Sequence, residues 1–581
     1  MGAAILVGSF ILLVAIRVPI AFSLGISAIL AALYEGVPLS ALATRMADGL
    51  NSFSLMAIPF FILAGQIMAD GKMAQRLVRM ASAVWGMVRG GLAMINCQAG
   101  MMFGAVSGSS VAATTSIGTI LVPLMEEHGY DRDFSVAITV TSSTQGLVIP
   151  PSHNAIIYAA AAGGGISIAS LFLAGVVPGA LVGVALMIAS YFIAKSRGYP
   201  REQEVTVAEG FRIIIEGIPA MMVGVIILGG VLSGTFTAVE ASAIAVVYAI
   251  ALVFLAKRNW YAFGALAAAA VVAFLLRTTG IGCALGLLSL LFVSDRTLDP
   301  RDLWSLLQRS VRTNSIVMLL IAASSAFAYM LTILQVPEAV ARAILGVSEN
   351  PVVVMLLINV LLLIVGTMMD MAPAILVLTP ILLGIVTSIG VDPVHFGIIM
   401  MLNLGIGLCT PPVGATLFVG CAIGKIKIEQ VIKPLLKLYP PMIVVLMLVT
   451  YVPKLAMALP EMALGGGVPP EVKLVAKGAG LALVASWVLV WAGSRVFKLA
   501  RPYFGRITFA SLAGVAVVWA GTGLLAGPAG LPVGAALAIA LPVALPVVKA
   551  IFADTWARAA GAWVLLAAAQ PLLLPFLPHA L

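Results

Sequence analysis

The sequence predicts an all-α polytopic membrane protein, and three observations predict it. Of its 581 residues, 62% are hydrophobic and only 9% are Asp, Glu, Lys or Arg, where an ordinary soluble domain carries roughly 25% charged residues. So few charges cannot cover the surface of a soluble fold of this length. Apolar stretches recur from end to end, each near the ~20 residues that a helix needs to cross the hydrocarbon core. Two of those stretches carry a Pro-Pro pair well inside them, Pro150-Pro151 and Pro411-Pro412, which predicts two interrupted helices; a third pair, Pro440-Pro441, stands at the start of the 439–459 run.

In chain order the apolar runs cover residues 2–34 (broken by Arg17 and Pro19), 54–68, 91–125, 134–194, 213–256, 260–293, 315–334, 351–390, 396–424 and 439–459. The longest must hold more than one crossing, or a crossing plus a re-entrant piece. Met1 leads into GAAILVGSFILLVAI without a charged n-region, which predicts a retained first span rather than a cleaved signal peptide. Lys72, Arg76 and Arg79 stand at helical spacing and predict a basic amphipathic helix at the headgroup level. The net charge of +9 comes from basic residues in short loops. They form no stripe of the kind nucleic acid requires and fit the cytoplasmic bias of Lys and Arg. Cys97, Cys283, Cys409 and Cys421 form no CxxC pair and lie in or beside apolar runs, so neither a disulfide scaffold nor a transition-metal site is indicated. No cofactor is expected.

One element recurs. Gly129, Asp131, Gly146 and Pro151 return 261 residues later as Gly390, Asp392, Gly407 and Pro412, matched in order, spacing and type over 23 positions. Pro178 and Pro440 follow one residue out of register. Weak internal repeats with Gly/Pro-interrupted spans in corresponding places point to a secondary transporter and to its binding site.

A Pro-Pro pair inside an apolar run is expected to interrupt a helix, because both residues lack amide donors and their rings clash with carbonyls one turn earlier. The stretches 141–152 and 403–414 therefore unwind, and each freed carbonyl must meet water, a neighbouring helix or a cation. Small hydroxylated residues cluster at the breaks and complete an oxygen-only shell suited to Na⁺. The alternative is a pair of Pro-kinked packing helices whose Ser and Thr satisfy the backbone locally. Each break is preceded by a second irregular segment, Gly104–Ser110 and Gly366–Pro373, with the composition of a hairpin tip. Asp370 is the one acid deep in the 351–390 run and is a functional candidate on that ground, with a packing or interfacial Asp as the alternative. Glu240 is a weaker candidate, with helix capping as its alternative. The substrate-cavity candidates are Ser109, Ser143, Thr144, His153, Asn154 and Asn403; for His153 and Asn154 an interfacial hydrogen-bonded pair stays open. The spacings Gly100/Gly104 and Gly179/Gly183 predict close helix packing.

At these residues the chain resembles the large membrane subunit, the DctM-like permease, of tripartite ATP-independent periplasmic (TRAP) transporters. The matching segments are RVPIAFSLGIS (17–27), MAIPFFILAGQIM (56–68), GAVSGSSVAATTSIGTILVP (104–123), SSTQGLVIPPS (142–152), LFLAGVVPG (171–179), GTFTAVEASAIAVVYA (234–249) and DPVHFGIIMMLNLGIGLCTPPVG (392–414). The resemblance implies an inverted-repeat, elevator-type secondary transporter of the bacterial inner membrane, similar to the ion-transporter superfamily, with two re-entrant hairpins and two broken helices. It implies Na⁺-coupled import of a small organic anion, a carboxylate, delivered by a periplasmic solute-binding protein to a complex with a small four-helix membrane subunit. It also implies one Na⁺ site at Ser107, Ser110, Gly146, Ile149 and Pro151, and another at Gly366, Gly407, Thr410 and Val413 with Asp370 close by.

The expected organisation is a first half over 1–256, with a hairpin near 97–123 and a broken helix near 135–160. A second half covers 298–460, with a hairpin near 355–385 and a broken helix near 396–424. Two stretches depart from the family. Residues 257–297 are an apolar insertion, expected to form two short spans because an even number of crossings keeps the second half inverted. Residues 461–581 form an extension with about four apolar segments. Two other functions compete: a Na⁺/dicarboxylate symporter working without a binding protein, and, more distantly, an intramembrane protease using Asp131 and Asp370 as paired acids.

Overall fold

A computed structural model gives the structure of the protein and describes residues 1–464 apart from 17, 71–72, 87, 89, 201–206, 233–235, 257–299 and 412–413. The insertion at 257–297, Val413 and all but the first residues of the C-terminal extension lie outside the described residues. Among the described residues the chain is helices and their connections, and residues 1–231 with 236–461 form one compact unit.

The chain opens with α1 (Gly2–Ala15), α2 (Ile20–Glu35) and α3 (Leu39–Leu50), followed by a 3₁₀ turn (Phe53–Met56) and α4 (Ala57–Asp70). α3 and the helix after it bend by 61° at that turn. Next comes α5 (Met73–Trp85), which buries Met73, Ala74, Leu77, Val78, Met80 and Ala81 while Gln75 and Arg79 stay exposed. That is the one-sided pattern of a 3.6-residue period.

α6 (Gly91–Ser107) and α7 (Ser110–Glu127) form a helical hairpin. Its two-residue tip follows from its sequence. Gly108 takes a φ of 64° and closes α6 by donating its N–H to the Gly104 carbonyl at 2.8 Å; only glycine enters that region without a steric cost. Ser109 then caps α7 by accepting the Ala112 N–H. α8 (Arg132–Gln145) and α9 (His153–Ala161) flank the first Pro-Pro stretch, and α10 (Ile168–Arg197), α11 (Val207–Leu232) and α12 (Ala238–Ala256) complete the first part. After the insertion come α13 (Pro300–Ile333), α14 (Val336–Val347), α15 (Pro351–Met368), α16 (Met371–Ser388), α17 (Pro393–Leu408), α18 (Ala415–Gly424), α19 (Ile428–Tyr451) and α20 (Lys454–Leu464). Among the described residues, five helices are long and apolar enough to cross a membrane: α10, most of α13 (Trp304–Ile333), α15, α16 and α19. α19 runs through Pro440-Pro441 without a break, unlike the helices at Pro150-Pro151 and Pro411-Pro412.

The 261-residue spacing extends well past the motif. α7 and α16 are both 18 residues long and begin at Ser110 and Met371. Ser109 and Asp370, the same distance apart, are their N-caps. The turns after these helices match bond for bond: Tyr130 N–H to Met125 and Val391 N–H to Val386, both at 2.9 Å, with Gly129 and Gly390 at φ 80° and 83°. Asp131 and Asp392 then stand at the N-cap positions of α8 and α17. The packing repeats too: α6 lies on α8 as α15 lies on α17, and α7 on α18 as α16 lies on α9.

Candidate functional site

At the first break α8 tightens before it stops. Leu147 and Val148 donate to Thr144 and Gln145, three residues back, and Pro150 and Pro151 have no N–H to continue the ladder. α17 ends in the same way, with Cys409 bonding to Ile406 and Thr410 to Gly407. Each break is clasped by the first arm of its own hairpin through a glycine pair. A Cβ at Gly146 would stand 2.8 Å from Gly104 Cα, and a Cβ at Gly407 would stand 2.6 Å from Gly366 Cα. Backbones meet only because neither partner has a side chain.

Mirrored polar contacts hold these pairs. Ser142 donates its hydroxyl toward the Asn96 carbonyl at 3.5 Å, and Asn403, 261 residues on, donates its amide to the Asn359 carbonyl at 2.9 Å. The side chains of Asn96 and Asn359 are themselves engaged, with Thr139 at 2.7 Å and with Asn403 at 2.8 Å. The two freed carbonyls at the corresponding positions Val148 and Cys409 are met differently. Tyr439 donates to the Cys409 carbonyl at 2.9 Å. Against the Val148 carbonyl α10 presents Gly175, where a Cβ would fall only 2.3 Å from the oxygen.

The sequence-derived residues fall as follows. Gly146, Pro151, Gly366 and Gly407 are buried, and Ile149 is half-buried against Gly179 of α10. Ser107 is buried, its hydroxyl donating back to the Ser109 carbonyl across the tip. His153 lies against Gly108, joining the start of α9 to the hairpin tip. Ser143, Thr144, Asn154 and Asn403 are buried, and Ser109 is spent as a cap. Ser110 reaches across to the second half, where its Oγ accepts from Thr416 Oγ1 at 2.8 Å. The Thr410 hydroxyl donates to the Ile406 carbonyl at 2.7 Å, one turn back on its own helix. Asp370 is exposed at the start of α16, its carboxylate accepting the Met371 N–H at 2.8 Å. Glu240 is a cap: its carboxylate accepts the Thr237 N–H and Thr237 Oγ1 accepts the Glu240 N–H, a reciprocal capping box.

Thr416, Tyr439, Gln145 and the Asn96/Asn359 pair are the residues that sequence reasoning missed. Asn359 was findable as the lone amide of the 351–390 run, and Asn96 as one of two amides, with Gln98, in the 91–125 run. Tyr439 and Thr416 carried no local signal, because their roles depend on helices far away in the chain.

Paired acids are not assembled. Asp131 binds Arg197 at 2.5 Å and Tyr199 at 2.7 Å, while Asp370 caps its own helix. Membrane-length helices beside two interrupted, polar-lined segments form an arrangement suited to carrying a solute across a membrane. Residues 7–455 match the family described as tripartite ATP-independent periplasmic transporter, DctM component, and the chain belongs to that family. It is 42% identical to the protein YgiK of Salmonella typhimurium over 79% of this chain and 97% of that one. It is 38% identical to the isethionate TRAP transporter permease protein DctMQ of Oleidesulfovibrio alaskensis, over 78% of this chain but only 65% of that longer protein. The sialic acid TRAP transporter large permease protein SiaM of Vibrio cholerae is 33% identical over 73% of this chain and 90% of its own length. Among solved structures, the YdaH transporter of Alcanivorax borkumensis matches with a TM-score of 0.48 at 14% identity, over 72% of this chain and 90% of that one.

Proposed function

We propose that this chain is the transport subunit of a Na⁺-coupled importer in the bacterial inner membrane. It moves a small organic anion, a carboxylate, received from a periplasmic solute-binding protein, and it works beside a small membrane subunit. The observation that carries this reading is the mirrored pair of breaks, each closed onto a hairpin by two glycines, Gly104/Gly146 and Gly366/Gly407. In such an arrangement unwound carbonyls and helix ends supply the groups that hold coupling ions and substrate. In this reading the hairpins are re-entrant. Na⁺ takes oxygens from Ser107, Ser110, Gly146, Ile149 and Pro151 at one break and from Gly366, Gly407, Thr410 and Val413 at the other, with Asp370 alongside. Relatives named for isethionate, sialic acid and C4-dicarboxylates support the anionic substrate class. The transport body consists of both hairpins and both broken helices and moves as an elevator. Bonds between the halves support that body: Thr416 to Ser110, and the Tyr158 hydroxyl to the Pro393 carbonyl at 2.6 Å.

The test is uptake by the reconstituted chain, with its small subunit, under separately imposed Na⁺ and H⁺ gradients, with and without the binding protein. Accumulation of anion under a Na⁺ gradient alone, and only with the binding protein present, is the expected result. Accumulation under a proton gradient alone would replace the coupling ion. Uptake without any binding protein would favour the simpler symporter.

A further inference from the structure

Gln145 is the last residue of α8, immediately before the first break, and its side chain is wholly buried. Neither its Oε1 nor its Nε2 has a hydrogen-bond partner among the described residues. Across from it is Gly405 of α17. A Cβ built at Gly405 would stand 3.4 Å from Gln145 Nε2, 3.4 Å from the Thr144 carbonyl oxygen and 3.7 Å from Gln145 Oε1, with nothing nearer. One donor and two acceptors thus converge on the face of Gly405, at contact distance from where a methyl would stand. Beside it the Thr144 hydroxyl faces the Cys409 thiol, so this is the point where the ends of α8 and α17 meet.

A buried amide with its donor and acceptor both unmet is costly. An occupant that relieves it must accept from Nε2 and donate to Oε1 or to the Thr144 carbonyl. A cation would be opposed by the amide hydrogens, and an anion by the two oxygens. Water does both, and three polar partners is the usual complement of a buried water. We propose that Gln145, Gly405 and the Thr144 carbonyl form a binding site for one internal water, which bridges α8 and α17 where the two breaks converge. The site also gives Gly405 a reason to be glycine in mid-helix, where glycine otherwise weakens the helix relative to alanine. Nothing in it depends on which ion the protein carries.

Thermal unfolding of the purified full-length chain in detergent tests the site, comparing wild type, Gly405→Ala, Gln145→Met and the double variant. Without the water, alanine at 405 sits at ordinary contact distance and adds helix propensity, so the midpoint rises in both backgrounds. With it, Gly405→Ala expels the water and strands the amide. The midpoint then falls by about 2 °C or more, whereas the same change raises it when Met replaces Gln145. A rise for Gly405→Ala alone, or equal shifts in the two backgrounds, overturns the proposal. Should Gln145→Met fail to accumulate as folded protein, the sign of the Gly405→Ala shift in the wild-type background decides alone.

Discussion

Asp131 and Asp392 occupy the same place in the repeat and are used differently. Asp392 caps its own helix, accepting the N–H groups of Val394 and His395. Asp131 turns outward to Tyr199 and Arg197 beyond the end of α10. The Tyr199 hydroxyl bond, aided by the Arg197 guanidinium, holds the Asp131 carboxyl below its usual 3.8, while burial and the Asp131 bond push the Tyr199 phenol up to about 12. A carboxyl whose folded value is depressed contributes stability that is complete above its unfolded value and is lost as pH falls through the folded one. The contribution therefore stands in full at neutral pH, begins to fall near pH 3.8 and is gone only once the pH has passed the lower folded value. Tyr199→Phe is expected to destabilise the folded protein by about 1 kcal/mol at pH 7. It should also flatten the acid limb of a plot of unfolding midpoint against pH; an acid limb identical to wild type would remove Asp131 as its source. At the proposed ion site the prediction concerns Thr410, whose hydroxyl is now held by the Ile406 carbonyl. Thr410→Ala should raise the Na⁺ concentration for half-maximal uptake about tenfold, equivalent to ~1.4 kcal/mol, with the protein still folded in the membrane. An unchanged Na⁺ dependence would take Thr410 out of the site.

At the scale of elements the decisive contacts are made by missing side chains. A Cβ at Gly407 would fall 2.5 Å from the Gly366 carbonyl carbon, against backbone that cannot rotate away. Gly407→Ala should therefore cost about 1–3 kcal/mol or more by overpacking, seen as a lowered unfolding midpoint or loss of monodisperse protein. Gly384 of α16 is the matched control, since nothing lies within 4 Å of a Cβ there. Gly384→Ala should stabilise by up to about 1 kcal/mol through helix propensity. Equal effects at the two positions would mean that the glycine clasp is not tight. These contacts also explain what the sequence made legible. Gly129, Gly390, Gly146 and Gly407 are visible in one chain because a left-handed turn or a backbone crossing admits no other residue. The helices between them are legible only as apolar runs, because a lipid-facing or core-facing Leu, Val or Ile can be exchanged freely. Beyond the hairpins the repeat is carried by packing and not by identities: α10 lies on α17 as α19 lies on α8. The expected hairpin of 97–123 accordingly runs to Gly91 and Glu127, since composition marks the tip but not the ends.

For the whole molecule the question is which parts move together. The halves interlock: α7 of the first packs on α18 of the second, and α16 of the second on α9 of the first. A machine that rocked one repeat against the other would have to part these helices in every cycle, whereas an elevator carries them as one body. Gly118 and Ile423 lie across the α7–α18 contact, with a Cβ at Gly118 standing 3.4 Å from Ile423 Cδ1. We expect Gly118→Cys with Ile423→Cys, in a background whose four native cysteines are replaced by Ala, to cross-link under an oxidant or a short bifunctional thiol reagent. In the proposed elevator this tether lies within the moving body, so the cross-linked protein should keep at least half the Na⁺-driven uptake of the reduced one. Loss of uptake on cross-linking, restored by a reductant and absent from either single-cysteine variant, would show that the halves must separate. The transport body would then have to be redrawn with its boundary between α7 and α18.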